Sequence, residues 1–295
     1  MNEMVRHPYR ASVMDYFNLT KPRIILMLLI TCACAMVVAA GGLPPLGLVF
    51  WTLLGLFLSS GGANAINMWY DRDIDQVMER TRNRPIPSGR MKPTAALLFG
   101  ILLQVASFVV LTVQVNLLAA VLALAGFIYY VFIYTMWLKR STPQNIVIGG
   151  GAGAFPPLVG WAAVTGGLGW APVLMFLIIF FWTPPHFWAL ALYKQEDYRR
   201  AGIPMMPVVR GDRTTKWQSL VYDFFLLAAS VALFFTGVVG WIYLVVATLL
   251  GVGFIVHNVV LLRERAPEVT WAKKTFRYSL IYLTVLFVVM VVNVQ

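Results

Sequence analysis

The chain has 295 residues, of which 60% are hydrophobic and only 12% charged, and its formal net charge is +11. Soluble domains average about 25% charged residues, so this composition excludes an ordinary soluble fold. Many apolar runs reach the roughly 20 residues that a helix needs to cross a bilayer. These runs do not alternate polar and apolar residues, which excludes a transmembrane β-barrel. The sequence therefore predicts an all-α polytopic membrane protein.

Hydropathy divides the chain into predicted spans that form a single membrane-embedded domain over residues 1–295. In chain order the nine spans are 24–40, 46–66, 95–114, 117–137, 145–165, 171–192, 218–238, 240–262 and 278–294. The divisions at Asn116 and near Gly240 rest on very short connections. The fifth span is rich in glycine, which predicts close packing against its neighbours, and Pro156 and Pro157 predict a kink.

The basic residues lie on one side of the predicted bundle. All 23 Lys and Arg lie either before the first span or in the loops that follow spans two, four, six and eight. Positive loops face the cytoplasm, so the sequence predicts a cytoplasmic N-terminus and an external C-terminus. We expect the inner membrane of a bacterium, where this face also attracts anionic lipid. Nucleic acid is not an expected partner, because the sequence predicts no basic soluble domain.

An acidic segment follows the second span directly. Asn67, Asp71 and Asp75 are spaced by four residues, so a continuing helix places all three on one face. Two carboxylates one turn apart suit Mg²⁺, a hard ion that prefers oxygen ligands and completes its shell with phosphate oxygens. Asn67 then adds a neutral oxygen or orients a water molecule. Asp73 points away from this face, towards solvent or a nearby arginine.

The alternative for this segment is a solvated helix end with surface ion pairs. Two features favour a functional site instead. Carboxylates at a membrane boundary are costly unless they are used. Four arginines nearby offer donors to a multiply charged anion such as diphosphate, namely Arg80, Arg82, Arg84 and Arg90.

Several segments, in order along most of the chain, resemble the UbiA-type intramembrane prenyltransferases. The run from Asn67 to Arg90 resembles the first aspartate-rich motif of that family. Other segments are similar to the branch of the family whose prenyl acceptor is protohaem IX. They are Lys21-Pro22-Arg23, LKRSTPQNIVIGG at 138–150, TPPHFWALA at 183–191 and YKQEDYRRAGIPMMPV at 193–208.

The resemblance implies nine helices around a central cavity, with polar loops that cap its cytoplasmic mouth. It implies Mg²⁺-dependent transfer of a farnesyl group from farnesyl diphosphate to a vinyl group of protohaem IX, which gives haem O for terminal oxidases. Haem A synthase and oxidase assembly proteins are then possible partners. Asn67, Asp71 and Asp75 would bind the metal, and both aspartates would be catalytic. The candidates for binding diphosphate are Arg23, Arg84, Arg140 and Lys194.

The chain departs from the wider family in its second polar loop. Many relatives carry a second aspartate-rich motif after the sixth helix, whereas Lys194 and Tyr198 here flank Glu196 and Asp197. The carboxylate pair spaced by four residues is therefore missing. Met68 likewise stands where many relatives have Asp. These departures argue against a second full metal site, and they make Lys194 a candidate catalytic cation that contacts the diphosphate directly. The alternative for Lys194 is an interfacial residue that contributes only to topology.

His186 lies late in the sixth predicted span. An ionisable residue inside a span is a functional candidate by default, and imidazole is a common ligand of haem iron. We therefore expect His186 to ligate the iron or orient the porphyrin, with a hydrogen-bonded packing histidine as the alternative. His257 in the eighth span is a competing candidate, and His7 is expected at the surface.

Three other functions remain open from the sequence. A related prenyltransferase would act on a quinone precursor or chlorophyllide. A haem or lipid transporter predicts charges at mid-membrane, where Asp223 is the only acid near the interior of a span. A structural assembly protein would not require an ordered aspartate motif.

Overall fold

The computed structural model describes residues 9–265 and 267–295. The expected His7 surface site lies outside these residues. In chain order the helices are α1 (Val13–Leu19), α2 (Pro22–Ala40), α3 (Leu46–Tyr70), α4 (Arg72–Val77), α5 (Pro93–Gln114), α6 (Leu117–Ser141), α7 (Asn145–Thr165), α8 (Trp170–Tyr193), α9 (Gln195–Arg200), α10 (Met206–Phe234), α11 (Trp241–Arg263) and α12 (Thr270–Val292).

Within the described residues, nine of these helices are long and apolar enough to cross a membrane: α2, α3, α5, α6, α7, α8, α10, α11 and α12. The prediction of an all-α protein with nine membrane helices is confirmed. The largest apolar core lies between α2, α8, α10, α11 and α12, where Tyr243, Phe254 and Tyr282 are fully buried. Long helices with an apolar surface and a buried interior are what a lipid-embedded bundle requires.

Two membrane helices begin earlier than their apolar spans predict. Helix α10 begins at Met206, before the predicted 218, and α12 begins at Thr270, before the predicted 278. Helix α10 contains one break, at Gly211, whose φ of 78° and ψ of 167° are not helical. The predicted spans stop where charged residues interrupt the apolar run, whereas the hydrogen bonds of the helix continue through those residues. The long stems of Lys and Arg can extend along such a helix end towards water.

Helix α6 is not α-helical along its whole length. Residues Tyr129–Leu138 form a π-helix. A π-helix bonds each residue to the fifth along the chain, so it turns the residues that follow it to a different side of the helix. Lys139 and Arg140 come directly after this segment. The sequence analysis did not predict this change of register.

Glycines set the helix spacing around α7. Gly150–Ala154 form a 3₁₀ segment, and Pro156 and Pro157 then occupy the first turn of the α-helical part, Phe155–Thr165. Proline is tolerated there because the first turn needs no intrahelical donor. Farther along, Gly160 contacts α2 closely, and a Cβ atom at Gly160 would collide with the backbone carbonyl oxygen of Cys32. The glycines therefore allow the close packing that small residues favour between membrane helices.

A Gly160→Ala substitution is expected to destabilise the protein by about 1–3 kcal/mol, because two helix backbones must move apart to admit the methyl group. Thermal unfolding in detergent measures the effect. Gly153→Ala is the matched control, since a Cβ at Gly153 in the same helix meets no atom within 4 Å. Equal losses for the two variants would contradict the close-packing argument.

The two polar loops that follow α3 and α8 pack against each other. Ile74 and Met78 of the first loop share one apolar cluster with Ile203 and Met205 of the second. Tyr198 packs against the same cluster, and its burial raises the pKa of its hydroxyl. Two loops that are far apart in sequence therefore pack together just beyond the end of α3.

Asp223 joins two membrane helices. It is buried in α10, and its Oδ2 accepts a hydrogen bond of 2.6 Å from Nδ2 of Asn258 in α11. A buried polar group is far less costly when it is hydrogen-bonded. This contact gives Asp223 a packing role between α10 and α11.

Candidate active site at the end of helix α3

Asn67, Asp71 and Asp75 keep helical spacing across the junction of α3 and α4. The amide of Asp71 donates to the carbonyl of Asn67 at 2.9 Å, and the amide of Asp75 donates to that of Asp71 at 2.8 Å. All three residues are buried, with exposures of 3%, 0% and 2%. Buried carboxylates are rare unless they are paired or bind a metal. The junction therefore forms a protected acidic face, which we call the acidic face below.

Each carboxylate of this face has a basic partner. Nζ of Lys139 donates to Oδ2 of Asp71. Nη1 of Arg84 donates to Oδ2 of Asp75 at 2.6 Å. Nη2 of Arg140 lies 3.5 Å from Oδ1 of Asp71. Opposite charges at these distances offset the cost of burying the carboxylates, and the same basic groups suit phosphate oxygens.

Asn67 connects the acidic face to the corner between α1 and α2. Its Oδ1 accepts a 2.7 Å hydrogen bond from Nζ of Lys21. Its Nδ2 donates to Oδ2 of Asp71 at 2.7 Å and to Oγ1 of Thr135 at 3.1 Å. Burial, together with the charges of Arg84 and Lys139, lowers the pKa of Lys21 well below its usual value. Both amide hydrogens of Asn67 are thus donated within the protein, and its oxygen accepts from Lys21.

Asp73 lies outside the acidic face, as its helical position predicts. Both of its carboxylate oxygens accept hydrogen bonds from Arg140, at 2.7 and 2.8 Å. This contact lowers the pKa of Asp73 to about 2. The guanidinium carbon of Arg140 also lies 4.8 Å from the ring centre of Tyr70. Arg140 therefore bridges the exposed and the buried side of the motif.

The donor set of the acidic face fits a hard metal ion. Oδ1 of Asp71 is buried and has no hydrogen-bond partner among the described residues. Nη2 of Arg140 approaches this oxygen at 3.5 Å without forming a hydrogen bond, so the oxygen keeps the capacity to bind a cation. In the described part of the chain, no group of three or more His, Cys, Asp or Glu side chains is placed to hold a metal. A metal bound here would take Asp71 and Asp75 from the protein and its other ligands from phosphate or water.

In the described residues, two of the predicted diphosphate ligands form no ion pair with the acidic face. Arg23 is exposed at the start of α2. The side chain of Lys194 is half exposed, and the only carboxylate within 4.0 Å of it in the described residues belongs to Asp197. Glu196 pairs instead with Arg199 and Arg200 on its own short helix. Glu196 and Asp197 thus form ion pairs with neighbouring basic residues of the second loop.

The sequence does not identify two basic residues as part of this site. Lys21 and Lys139 each lie in a segment that resembles the family and in the charge pattern that predicts topology, and neither feature assigns them a contact. Their partners Asn67 and Asp71 are 46 and 68 residues away along the chain. Local spacing gives no signal for contacts at such separations.

His186 is packed between two helices. Its ring stacks on Trp182 of α8 at 4.2 Å and on Phe276 of α12 at 4.7 Å. Its Nδ1 lies 2.6 Å from Oγ of Ser279, whose hydroxyl donates to the carbonyl of Phe276. When that hydroxyl gives its one proton to the carbonyl of Phe276, Nδ1 of His186 is the donor to Oγ. Nε2 is then the ring nitrogen available to a ligand.

His257 also stacks on α12. Its ring centre lies 4.4 Å from that of Tyr278, and its Nδ1 is buried without a hydrogen-bond partner in the described residues. Both histidines therefore have a packing role, and the haem-binding assignment of His186 stays a prediction.

The described residues form a bundle with nine helices that could cross a membrane and a buried acidic face at one helix end, and the sequence matches a family of prenyltransferases. The chain belongs to the UbiA prenyltransferase family, whose model matches residues 28–281. The family resemblance proposed from the sequence is thereby confirmed.

Relatives in this family share extensive sequence identity with the chain. The protoheme IX farnesyltransferase of Symbiobacterium thermophilum is 61% identical over 96% of this chain and 94% of its own length. The protoheme IX farnesyltransferase of Roseiflexus sp. (strain RS-1) is 53% identical over 95% of this chain, and the chain spans 52% of its length. The match therefore covers nearly all of this chain in both cases.

Solved structures share the fold at much lower identity. The structure of digeranylgeranylglyceryl phosphate synthase has a TM-score of 0.80 at 18% identity and covers 95% of this chain and 98% of its own. A UbiA homologue from Archaeoglobus fulgidus bound to DMAPP and Mg²⁺ has a TM-score of 0.67 at 17% identity, over 94% and 99% of the two chains. These similarities confirm the fold.

Proposed function

We propose that the protein transfers a farnesyl group from farnesyl diphosphate to a vinyl group of protohaem IX. Addition of water to the product then gives the hydroxyethylfarnesyl side chain of haem O. The observation that carries the proposal is the buried acidic face, surrounded by basic groups, at the end of an apolar bundle. The names of the relatives support protohaem IX as the acceptor.

Mg²⁺ is the proposed cofactor, held by Asp71 and Asp75. The Mg²⁺ and DMAPP bound to the Archaeoglobus homologue support this choice. When bound, the ion supplies positive charge that stabilises the departing diphosphate. Arg84, Lys139 and Arg140 already contact the two carboxylates, so they are placed to exchange these partners for diphosphate oxygens. We propose Lys194 as a further diphosphate contact.

Aromatic rings of α6 are proposed to face the allylic cation. The rings of Tyr130 and Tyr134 are 5.5 Å apart, and Nζ of Lys21 lies 6.0 Å from the centre of the Tyr130 ring. The electron-rich face of an aromatic ring attracts positive charge. An apolar interior around these rings would also exclude water that quenches a carbocation. The prenyl chain is accordingly proposed to lie in a central cavity of the bundle.

We propose that the acidic face lies on the cytoplasmic side of a bacterial inner membrane, with the C-terminus outside, because positively charged loops tend to remain in the cytoplasm. His186 is proposed to present Nε2 to the haem iron or to the porphyrin edge. Haem A synthase and oxidase assembly proteins, which would receive the product, are proposed partners.

The direct experiment incubates purified protein with protohaem IX, farnesyl diphosphate and Mg²⁺ and measures the haem by mass spectrometry. We expect the haem to gain a farnesyl group and one water. Parallel reactions replace protohaem with an aromatic quinone precursor or contain chelator in place of Mg²⁺. An unchanged haem mass from folded protein would reject the proposal, and prenylation of the quinone precursor alone would assign a different acceptor.

A further inference from the structure

Lys21 has an unusual backbone conformation. Among the described residues it is the one non-glycine residue with a positive φ, at 56° with a ψ of 60°. It also precedes Pro22, and a residue before proline normally adopts an extended conformation. Strain of this kind persists only where the surrounding structure imposes it, and such residues cluster at functional sites.

One face of α3 holds this corner in place. Nδ2 of Asn64 donates to the carbonyl of Thr20 at 2.9 Å. A Cβ atom at Gly61 would lie only 3.1 Å from Cγ2 of Thr20, so the corner packs directly on the helix backbone. The third residue on this face is Asn67, which receives the Nζ of Lys21 at 2.7 Å. The strained corner therefore places the amino group of Lys21 against the side-chain amide of Asn67.

The contacts of Asn67 determine which way its amide points. Both hydrogens of Nδ2 are committed, to Asp71 and to Thr135, so Oδ1 must accept from Lys21. A rotation by half a turn would direct Nδ2 at an amino group and Oδ1 at a carboxylate, and both contacts would be lost. An ammonium group at Lys21 can only donate, and the carboxylate of Asp71 can only accept in either protonation state of Lys21.

We propose that Lys21 is a positioning residue that holds Asn67 as a hydrogen-bond donor to Asp71. Asn67 then orients the carboxylate, with Oδ2 of Asp71 held and Oδ1 left without a hydrogen bond. This orienting role of Asn67 goes beyond the metal-ligand role that helical spacing suggests. The inference rests on the proposed Mg²⁺ site at Asp71 and Asp75.

The test measures Mn²⁺ binding to the full-length protein in detergent by electron paramagnetic resonance, with inorganic diphosphate present. Lys21→Met is expected to weaken Mn²⁺ binding at least about tenfold, the usual range for groups that orient a metal ligand. Lys21→Gly suits the left-handed backbone and removes the amine, so it should lose the same affinity without strain. Lys21→Arg keeps a donor and should stay within about threefold. Lys92→Met is the matched control, an exposed lysine over the ring of Tyr9.

A double variant tests the route through Asn67. If Lys21 acts through Asn67, Lys21→Met/Asn67→Ala binds Mn²⁺ no more weakly than Asn67→Ala alone. Additive losses would overturn the proposal, as would Lys21→Met and Lys21→Gly proteins that bind Mn²⁺ normally and lose only diphosphate affinity. Circular dichroism checks that each variant is folded. Wild-type protein that binds Mn²⁺ but leaves protohaem unmodified would reject the proposed function and leave this inference intact.

Discussion

Asp71→Asn and Asp75→Asn variants should each lose at least about 100-fold in the rate of prenyl transfer, the scale on which removal of one preorganised charge-stabilising group acts. Asparagine preserves the shape of the side chain but removes the charge that a divalent ion requires. Both carboxylates are buried, so water cannot readily replace them. The rate is measured as haem modified per unit time by mass spectrometry, at equal amounts of folded protein.

Asp73→Asn is the matched control for these variants. It removes a carboxylate from the same segment, but one that is exposed and bound to Arg140. Its activity should stay within about threefold of wild type, because the pair at Asp73 is a surface contact of small energetic value. Full activity in Asp71→Asn, or equal losses for Asp73→Asn and Asp71→Asn, would contradict the assignment of the acidic face.

The acidic face was accessible to sequence reasoning because its order is local. Asn67, Asp71 and Asp75 recur every four residues, and helical geometry converts that spacing into a shared face. The membrane helices were accessible for a similar reason, since continuous apolar runs of sufficient length allow little besides a helix in lipid. The same helical geometry predicts that Asp73 lies outside the acidic face, which agrees with its exposed ion pair with Arg140.

Two basic residues of the site, Lys139 and Lys21, could not be predicted from local spacing. Lys139 reaches Asp71 after a π-helix, and a period of 3.6 residues projected through Tyr129–Leu138 gives the wrong side of α6. Lys21 reaches Asn67 through a left-handed corner that no propensity predicts for lysine before proline. Both contacts depend on tertiary packing between segments that are distant in sequence. The carboxylates, Arg84 and Arg140 could therefore be assigned to the site from the sequence, but Lys139 and Lys21 could not.

The second large effect that we expect is a loss of folding stability when an ion pair of the same site is broken. Arg84→Met is expected to destabilise the protein by about 3 kcal/mol, because it leaves the carboxylate of Asp75 buried without its cation. The side chain of Asp75 is only 3% exposed, whereas that of Arg84 is 19% exposed. That partial exposure places the loss near the lower end of the range for broken buried pairs. The free energy of unfolding is measured by denaturant titration in mixed micelles.

The double variant Arg84→Met/Asp75→Asn separates stability from activity. It removes both charges, so most of the lost stability should return, while prenyl transfer stays at least about 100-fold below wild type. Arg82→Met is the control in the same loop, where an exposed arginine should change stability by no more than about 0.5 kcal/mol. If the double variant were as unstable as Arg84→Met, the loss would come from the packing of the arginine stem. A stable and active double variant would instead show that this ion pair has no part in binding the diphosphate.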